Sequence, residues 1–287
     1  MDTAKIFWNR IGYVAIEDRS GKMIKYGGDI DGLDFKFTGT MNSDIYTEFQ
    51  VGILGLSAEK IGEITVWNPE ESTGRRRKIQ VFAGYEKDGL ANPLFEGFIY
   101  EALPTNPPEM WLNMKCLVDG NKIIPVDEHK VITGTPEEIF KQIGNELGKS
   151  TRWQVTKIDN KNKIKFDFTG SKLSLVRSFA DALHITVTDI SGVLVADNFR
   201  PWLNEVKDPI LIDVEHGMIG LGAISIKGAT IRSRLNGSIP VAGWVRLKSV
   251  IIPKANGDYF VITKKHVGHF RGDDWYTEVE CVRKAMK

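Results

Sequence analysis

Apolar and polar positions alternate in short runs over residues 1–118. The segments FWNRIGYVAIED, FKFTGT, EFQVGILGL and RRRKIQVFAGY are short apolar/polar segments that read as strands. PLFEGFIYEAL and MWLNMKCLV continue the series. In the last, Leu112, Met114 and Cys116 point one way, while Trp111, Asn113, Lys115 and Leu117 point the other. GEITVWNPE reads as a further strand, with Ile64, Val66 and Trp67 ahead of an Asn-Pro turn. Val81–Tyr85 and Leu94–Ile99 flank a Gly/Asn/Pro connection and predict a hairpin. Many short strands with Gly and Pro punctuation predict a closed or nearly closed antiparallel barrel.

The period then changes to that of a helix. In TPEEIFKQIGNELG, Thr135 is placed as N-cap, Pro136 at the first helical position and Glu138 as the return half of a capping box. Ile139, Phe140, Ile143 and Leu147 form one stripe, and Gly148 ends the helix. SKLSLVRSFADAL predicts a second helix with Val176, Phe179, Ala180 and Leu183 on one face. KIKFDF alternates through Ile164, Phe166 and Phe168, and ITVTDISGVLVAD predicts a hairpin turning at Ser191 and Gly192. After NFRPWLNEVKDP the strand period returns in GAISIKGATIRS and GWVRLKSVII. Two last strands follow around GHFRGDD. The pattern predicts a mainly β chain with a small α+β insertion: strands over 1–118, an α+β unit with two short helices over 119–206, and strands again over 207–287.

Composition is that of a soluble globular chain, 42% hydrophobic and 26% charged. The 38 basic and 37 acidic residues leave a net charge of +1, which gives no global reason to bind nucleic acid or a membrane surface. No apolar run reaches the roughly 20 residues of a membrane span, and Asp2, Asn9 and Arg10 interrupt the N-terminus where a signal peptide would be apolar. Cys116 and Cys281 sit in alternating runs and read as buried free thiols of a reducing compartment.

Candidate chemistry is sparse. His266 and His269, with Asp273 and Asp274, are the best metal-like cluster. Residues three apart on a strand face opposite sides, however, so one ion would need Gly268 to break the strand. The basic run 74–78, GRRRK, reads as a solvated loop or strand start beside the acidic PEES. Glu86 and Asp88, or Asp273 and Asp274, are close neighbours in loops, not carboxyls held apart across a cleft. There is no GxSxG and no P-loop, and the glycines of GYEKDGLANPLFEG lack the strand and helix context of a dinucleotide site. The reading is therefore not an enzyme, with no catalytic, cofactor or metal site.

The order of three pieces carries a resemblance. They are TEFQVGILGL through VFAGY, FEGFI and MWLNMKC; then ITGTPEEIFKQIGNELG with LSLVRSFADALHITVTDISGVLVAD; then WVRLKSV through GDYFVITKKHVGHFRGDDWYTEVECV. Together they resemble the baseplate hub proteins of tailed phages, related to the late-control-type hubs of contractile tails and tailocins. The resemblance implies two tube-like antiparallel β-barrel domains, 1–118 and 207–287, flanking the insertion 119–206. It implies a homotrimeric, pseudo-sixfold ring that joins a sixfold tail tube to a threefold central spike and leaves a lumen. The implied partners are the spike and the tail tube or its adaptor, with the tape measure protein and baseplate wedge as further candidates. Genome DNA would pass without specific binding. The implied location is the virion tail, assembled in the host cytoplasm. Two other classes stay open: a β-rich carbohydrate or receptor-binding tail-tip protein, which an exposed platform of Trp67, Trp111, Trp202 or Trp275 would favour, and a tail-associated cell-wall hydrolase.

Overall fold

The structure is a computed structural model. It describes residues 9–42, 47–65, 76–118, 128–170, 172–190, 193–198, 206–225 and 228–284. Trp67, Trp202, Arg75 and the turn at 191–192 lie outside the described residues.

Thirteen strands form one sheet. The N-terminal half contributes β1 (Arg10–Glu17), β2 (Met23–Tyr26), β3 (Asp34–Asn42), β4 (Thr47–Leu54), β5 (Lys78–Tyr85), β6 (Phe95–Pro104) and β7 (Trp111–Leu117). The C-terminal half contributes β13 (Ile210–Ile212), β14 (Met218–Ile224), β15 (Gly228–Arg234), β16 (Trp244–Leu247), β17 (Gly257–His269) and β18 (Trp275–Arg283). The main path runs β14-β15-β18-β17-β3-β4-β7-β6-β5-β1-β2, with β16 and β13 branching from β17. The predicted hairpin is present as β5 and β6, with Val81 opposite Phe95; beyond it Tyr85 pairs with Arg10 of β1.

The expectation of closed barrels is corrected. A strand has two edges, and those of β3 are taken by β4 and β17, so the N-terminal half cannot close through β3. The thirteen residues of β17 explain why. Gly257–Phe260 pair with β16, a register shift follows between Val261 and Thr263, and Thr263–His269 pair with β3. One strand thus belongs to both halves, and the sheet stays open.

Between the halves lie β8 (Glu128–Gly134), α2 (Pro136–Glu146), β9 (Ser150–Trp153), β10 (Ile164–Gly170), α3 (Lys172–Leu183), β11 (Ile185–Ile190) and β12 (Val193–Asn198). β8 pairs with β10, and β9, β12 and β11 form a three-stranded sheet. The capping box is as expected: Thr135 Oγ1 accepts from Glu138 N at 3.3 Å, and Glu138 Oε2 accepts from Thr135 N at 2.9 Å. At the other end Gly148 takes φ +65°, and Gly148 N and Lys149 N reach back to Asn145 O and Gly144 O. Ile139, Phe140 and Ile143 of α2 pack with Val176 and Phe179 of α3 and with Phe166 and Phe168 of β10.

The strand expected over GEITVWNPE is corrected at its start, where Gly62, Glu63 and Ile64 are the last turn of α1 (Ala58–Ile64); its remainder from Val66 lies outside the described residues. Ser57 accepts from Lys60 N as N-cap, and Ile61 and Ile64, three apart, bury one face. Three apolar clusters result. One lies under β1–β7 and includes Leu235 and Trp275 from the C-terminal half; one lies in the insertion; one lies under β15–β18.

Candidate functional site

The last hairpin is anchored in the N-terminal half. His269 Nε2 lies 2.7 Å from Asp34 Oδ2, Arg271 N donates to Asp34 Oδ1 at 3.1 Å, and Phe270 N donates to Phe35 O at 2.9 Å. The Arg271 guanidinium reaches Gly32 O. Arg10 donates to the carbonyls of His269, Gly272 and Asp273 and lies 5.5 Å over the Trp275 ring. Trp275 Nε1 donates to Gly84 O at 3.2 Å, and Tyr85 Oη to Trp275 O at 3.3 Å. Phe35, Phe37, Phe270 and Trp275 stack edge-to-face or offset beneath. These contacts tie the two halves into one sheet.

The metal-like cluster resolves into structural roles. His266 is fully buried against Thr277 Oγ1 at 2.9 Å, while His269 leaves the opposite face toward Asp34. Gly268 does not break β17, which runs to His269. Among the described residues no three His, Cys, Asp or Glu side chains converge on a metal position. Glu86 accepts from Asn9 at 2.7 Å and Asp88 sits 3.4 Å from Arg234, so both carboxylates brace loops. In the basic run, Arg77 lies 3.6 Å from Glu63 and Lys78 2.6 Å from Glu96. Trp111 and Trp275 are 8% and 3% exposed, so neither is a platform for a sugar. Cys116 and Cys281 are free, in different clusters, and burial pushes both thiols well above their usual range.

What remains is a surface. Residues directly opposite in paired strands share a face. One register row therefore crosses eight strands in the order Arg232, Glu278, Lys265, Thr40, Glu48, Leu117, Phe98 and Lys78, from β15 through β18, β17, β3, β4, β7 and β6 to β5. A second row carries Tyr276, Val267, Thr38, Gln50, Lys115 and Glu101. Opposite charges adjoin along these rows: Arg232 Nη2 to Glu278 at 2.8 Å and Lys115 Nζ to Glu101 at 2.9 Å. Beside them Lys36 Nζ lies 4.0 Å over the Trp111 ring, in a groove of about 610 Å³ that also takes in Asn113, His269 and Asp274. The face is polar, continuous across both halves and close to charge-balanced. Periodicity places Asn113, Lys115 and Leu117 of β7 on this side. It did not identify the row, because register is a property of pairs.

A family model described as baseplate hub gp41 matches residues 26–281. The chain belongs to the baseplate hub gp41 family. It is thus a phage baseplate hub, a tail structural protein and a virion component. Solved structures show the same fold at low identity. The 43 kDa tail protein of prophage MuSo2 from Shewanella oneidensis superposes with a TM-score of 0.62 at 8% identity, over 95% of this chain and 98% of that one. The tail protein from Neisseria meningitidis MC58 gives 0.62 at 8%, over 96% and 97%. The E. coli c3393 protein, described as a type VI secretion component structurally similar to T4 tail proteins gp27 and gp5, gives 0.59 at 8%, over 88% and 74%. No curated protein sequence matches the chain. Among the hub's described residues no helix is long and apolar enough to cross a membrane.

Proposed function

We propose that this hub forms a homotrimeric ring joining a sixfold tail tube to a threefold central spike, with the charge-balanced sheet face lining its lumen. The observation that carries the reading is the eight-strand register row. Each chain offers two wall segments, from 1–118 and 207–287, carried on one open sheet, with 119–206 as an outlying unit. Three copies of an eight-strand face make twenty-four strands. At about 4.8 Å per strand that is a wall of roughly 115 Å, or about 37 Å across before side chains are counted. Such a lumen is wider than a DNA duplex. Open sheets suit this arrangement, since their free edges are completed by neighbours in a closed ring.

The lining must not hold DNA in transit. A basic lining would, because each neutralised phosphate releases counterions and adds to affinity. Pairing of Arg232, Lys115 and Lys78 with carboxylates weakens that attraction. The function thus rests on shape and symmetry, without catalysis or a cofactor, and the partners are the spike and the tail tube or its adaptor. Assembly takes place in the host cytoplasm. Native mass spectrometry of the chain, alone and with its spike, tests the proposal: a trimer is expected, and a stable dimer or tetramer with no trimer when the spike is added sinks it. Fluorescence anisotropy with duplex DNA at about 150 mM salt should show no appreciable binding.

A further inference from the structure

A buried polar layer separates the two apolar clusters of the large sheet. Its central register row reads Ser233, Thr277, His266 and Gly39 across β15, β18, β17 and β3. The adjoining row reads Ile231, Val279, Lys264 and Met41. Ser233, Thr277, His266 and Lys264 are all at most 7% exposed. Over this layer lies the strap 235–240. Its Leu235 belongs to the N-terminal cluster and its Ile239 to the C-terminal one, so the strap clips the two together.

Polar contacts with the layer hold the strap down. Lys264 Nζ donates to Gly237 O at 3.3 Å and Ile239 O at 2.8 Å. Asn236 N donates to Thr277 Oγ1 at 2.8 Å, and Thr277 Oγ1 is the partner of His266 Nδ1. The other ring nitrogen, His266 Nε2, is buried with no hydrogen-bond partner. No carboxylate occupies either row. The facing groups are Thr277, Ser233 and Gly39 for His266, and Val279, Met41 and the strap carbonyls for Lys264.

We propose that the strap 235–240 is an acid-released clip between the two halves of the hub, operated by His266 beside Lys264. The step is a proton transfer: hydronium gives a proton to the free ring nitrogen of His266 and leaves as water, and no other covalent bond forms or breaks. It places an imidazolium beside an ammonium on one strand face with no carboxylate in the rows to offset them, and water must enter to solvate both. The strap is the element that can admit it, because its grip on the layer is made of the hydrogen bonds that solvation competes with. Burial and the neighbouring Lys264 hold the His266 ring neutral well below the usual histidine range, which sets the release in acid and not near neutrality. The register shift between Val261 and Thr263 lies next to this layer, so release frees the two halves to change their angle there.

Hydrogen exchange read by mass spectrometry at about pH 7.5 and about pH 4.5, with exchange times scaled for the intrinsic rate, tests this. In the native chain, peptides covering 229–240 and 257–266 should lose protection by roughly tenfold or more in acid, while β4 and β7 keep theirs. His266→Gln should abolish the acid-specific loss. Loss that persists in His266→Gln, loss shared equally by β4 and β7, or no loss at all overturns the proposal. Should His266→Gln fail to fold, histidine-selective NMR of the native chain decides: the His266 ring must take up its proton over the same pH range as the strap opens, and a ring that stays neutral throughout overturns it.

Discussion

Replacing Lys264 by Met probes the buried layer from the alkaline side. Lys264 is 7% exposed, and burial lowers its ammonium from 10.5 to about 8. A base with a depressed folded pKa holds fewer protons in the folded state between those values, so its contribution makes the chain more stable as pH rises from 8 to 10.5. The charged form costs about 3 kcal/mol at neutral pH, about 2 kcal/mol near pH 9 and under about 0.5 kcal/mol at pH 10.5. The wild-type curve alone does not display this. Cys116, Cys281, Tyr26, Tyr85 and Tyr259 all have pKa values raised by burial, and they destabilise the fold at alkaline pH as the unfolded chain deprotonates. Those groups remain in Lys264→Met, so the difference between the two proteins isolates the lysine. Losing the bonds to Gly237 O and Ile239 O costs about 1–3 kcal/mol per carbonyl left unsatisfied, but that cost does not vary with pH. Urea unfolding followed by tryptophan fluorescence, at intervals from pH 7 to 10.5, gives the curve. The stability of the variant relative to wild type should fall by about 3 kcal/mol across that range. A change below about 1 kcal/mol would refute the desolvated lysine and the layer it defines.

Three further outcomes follow from the packing. Gly39→Ala places a Cβ 1.8 Å from the Phe49 ring in the N-terminal cluster, so it should cost at least about 1–3 kcal/mol in urea unfolding; an unchanged midpoint would contradict the close approach. Thr135→Ala removes the N-cap bond of α2 and should cost about 1 kcal/mol, recovered in large part by Thr135→Ser. Native Cys116 and Cys281 should react with a thiol reagent only at the rate of opening, so labelling should track urea concentration; fast native labelling of either would show it exposed.

Much of this protein was legible along the chain because its elements are stabilised locally. The alternation of Leu112, Met114 and Cys116, the Thr135–Glu138 capping box, the Gly148 stop and the two buried thiols follow from period and cap chemistry alone. A short helix was the local failure. Ile61 and Ile64 sit close to a run that alternates, and the Ser57 cap was the signal passed over. What tertiary structure decided was partnership. Nothing in the period of GDYFVITKKHVGH says that its first residues pair with β16 and its last with β3, because an edge carries no mark of which strand will fill it. That single choice opens the sheet, aligns Arg232, Glu278, Lys265, Thr40 and Glu48 into one face, and turns Lys264 and His266 inward beneath the strap. In the sequence the histidine stands out only as half of a weak metal-like pair, and the lysine carries no signal of burial. They are buried because two halves of one sheet meet over them.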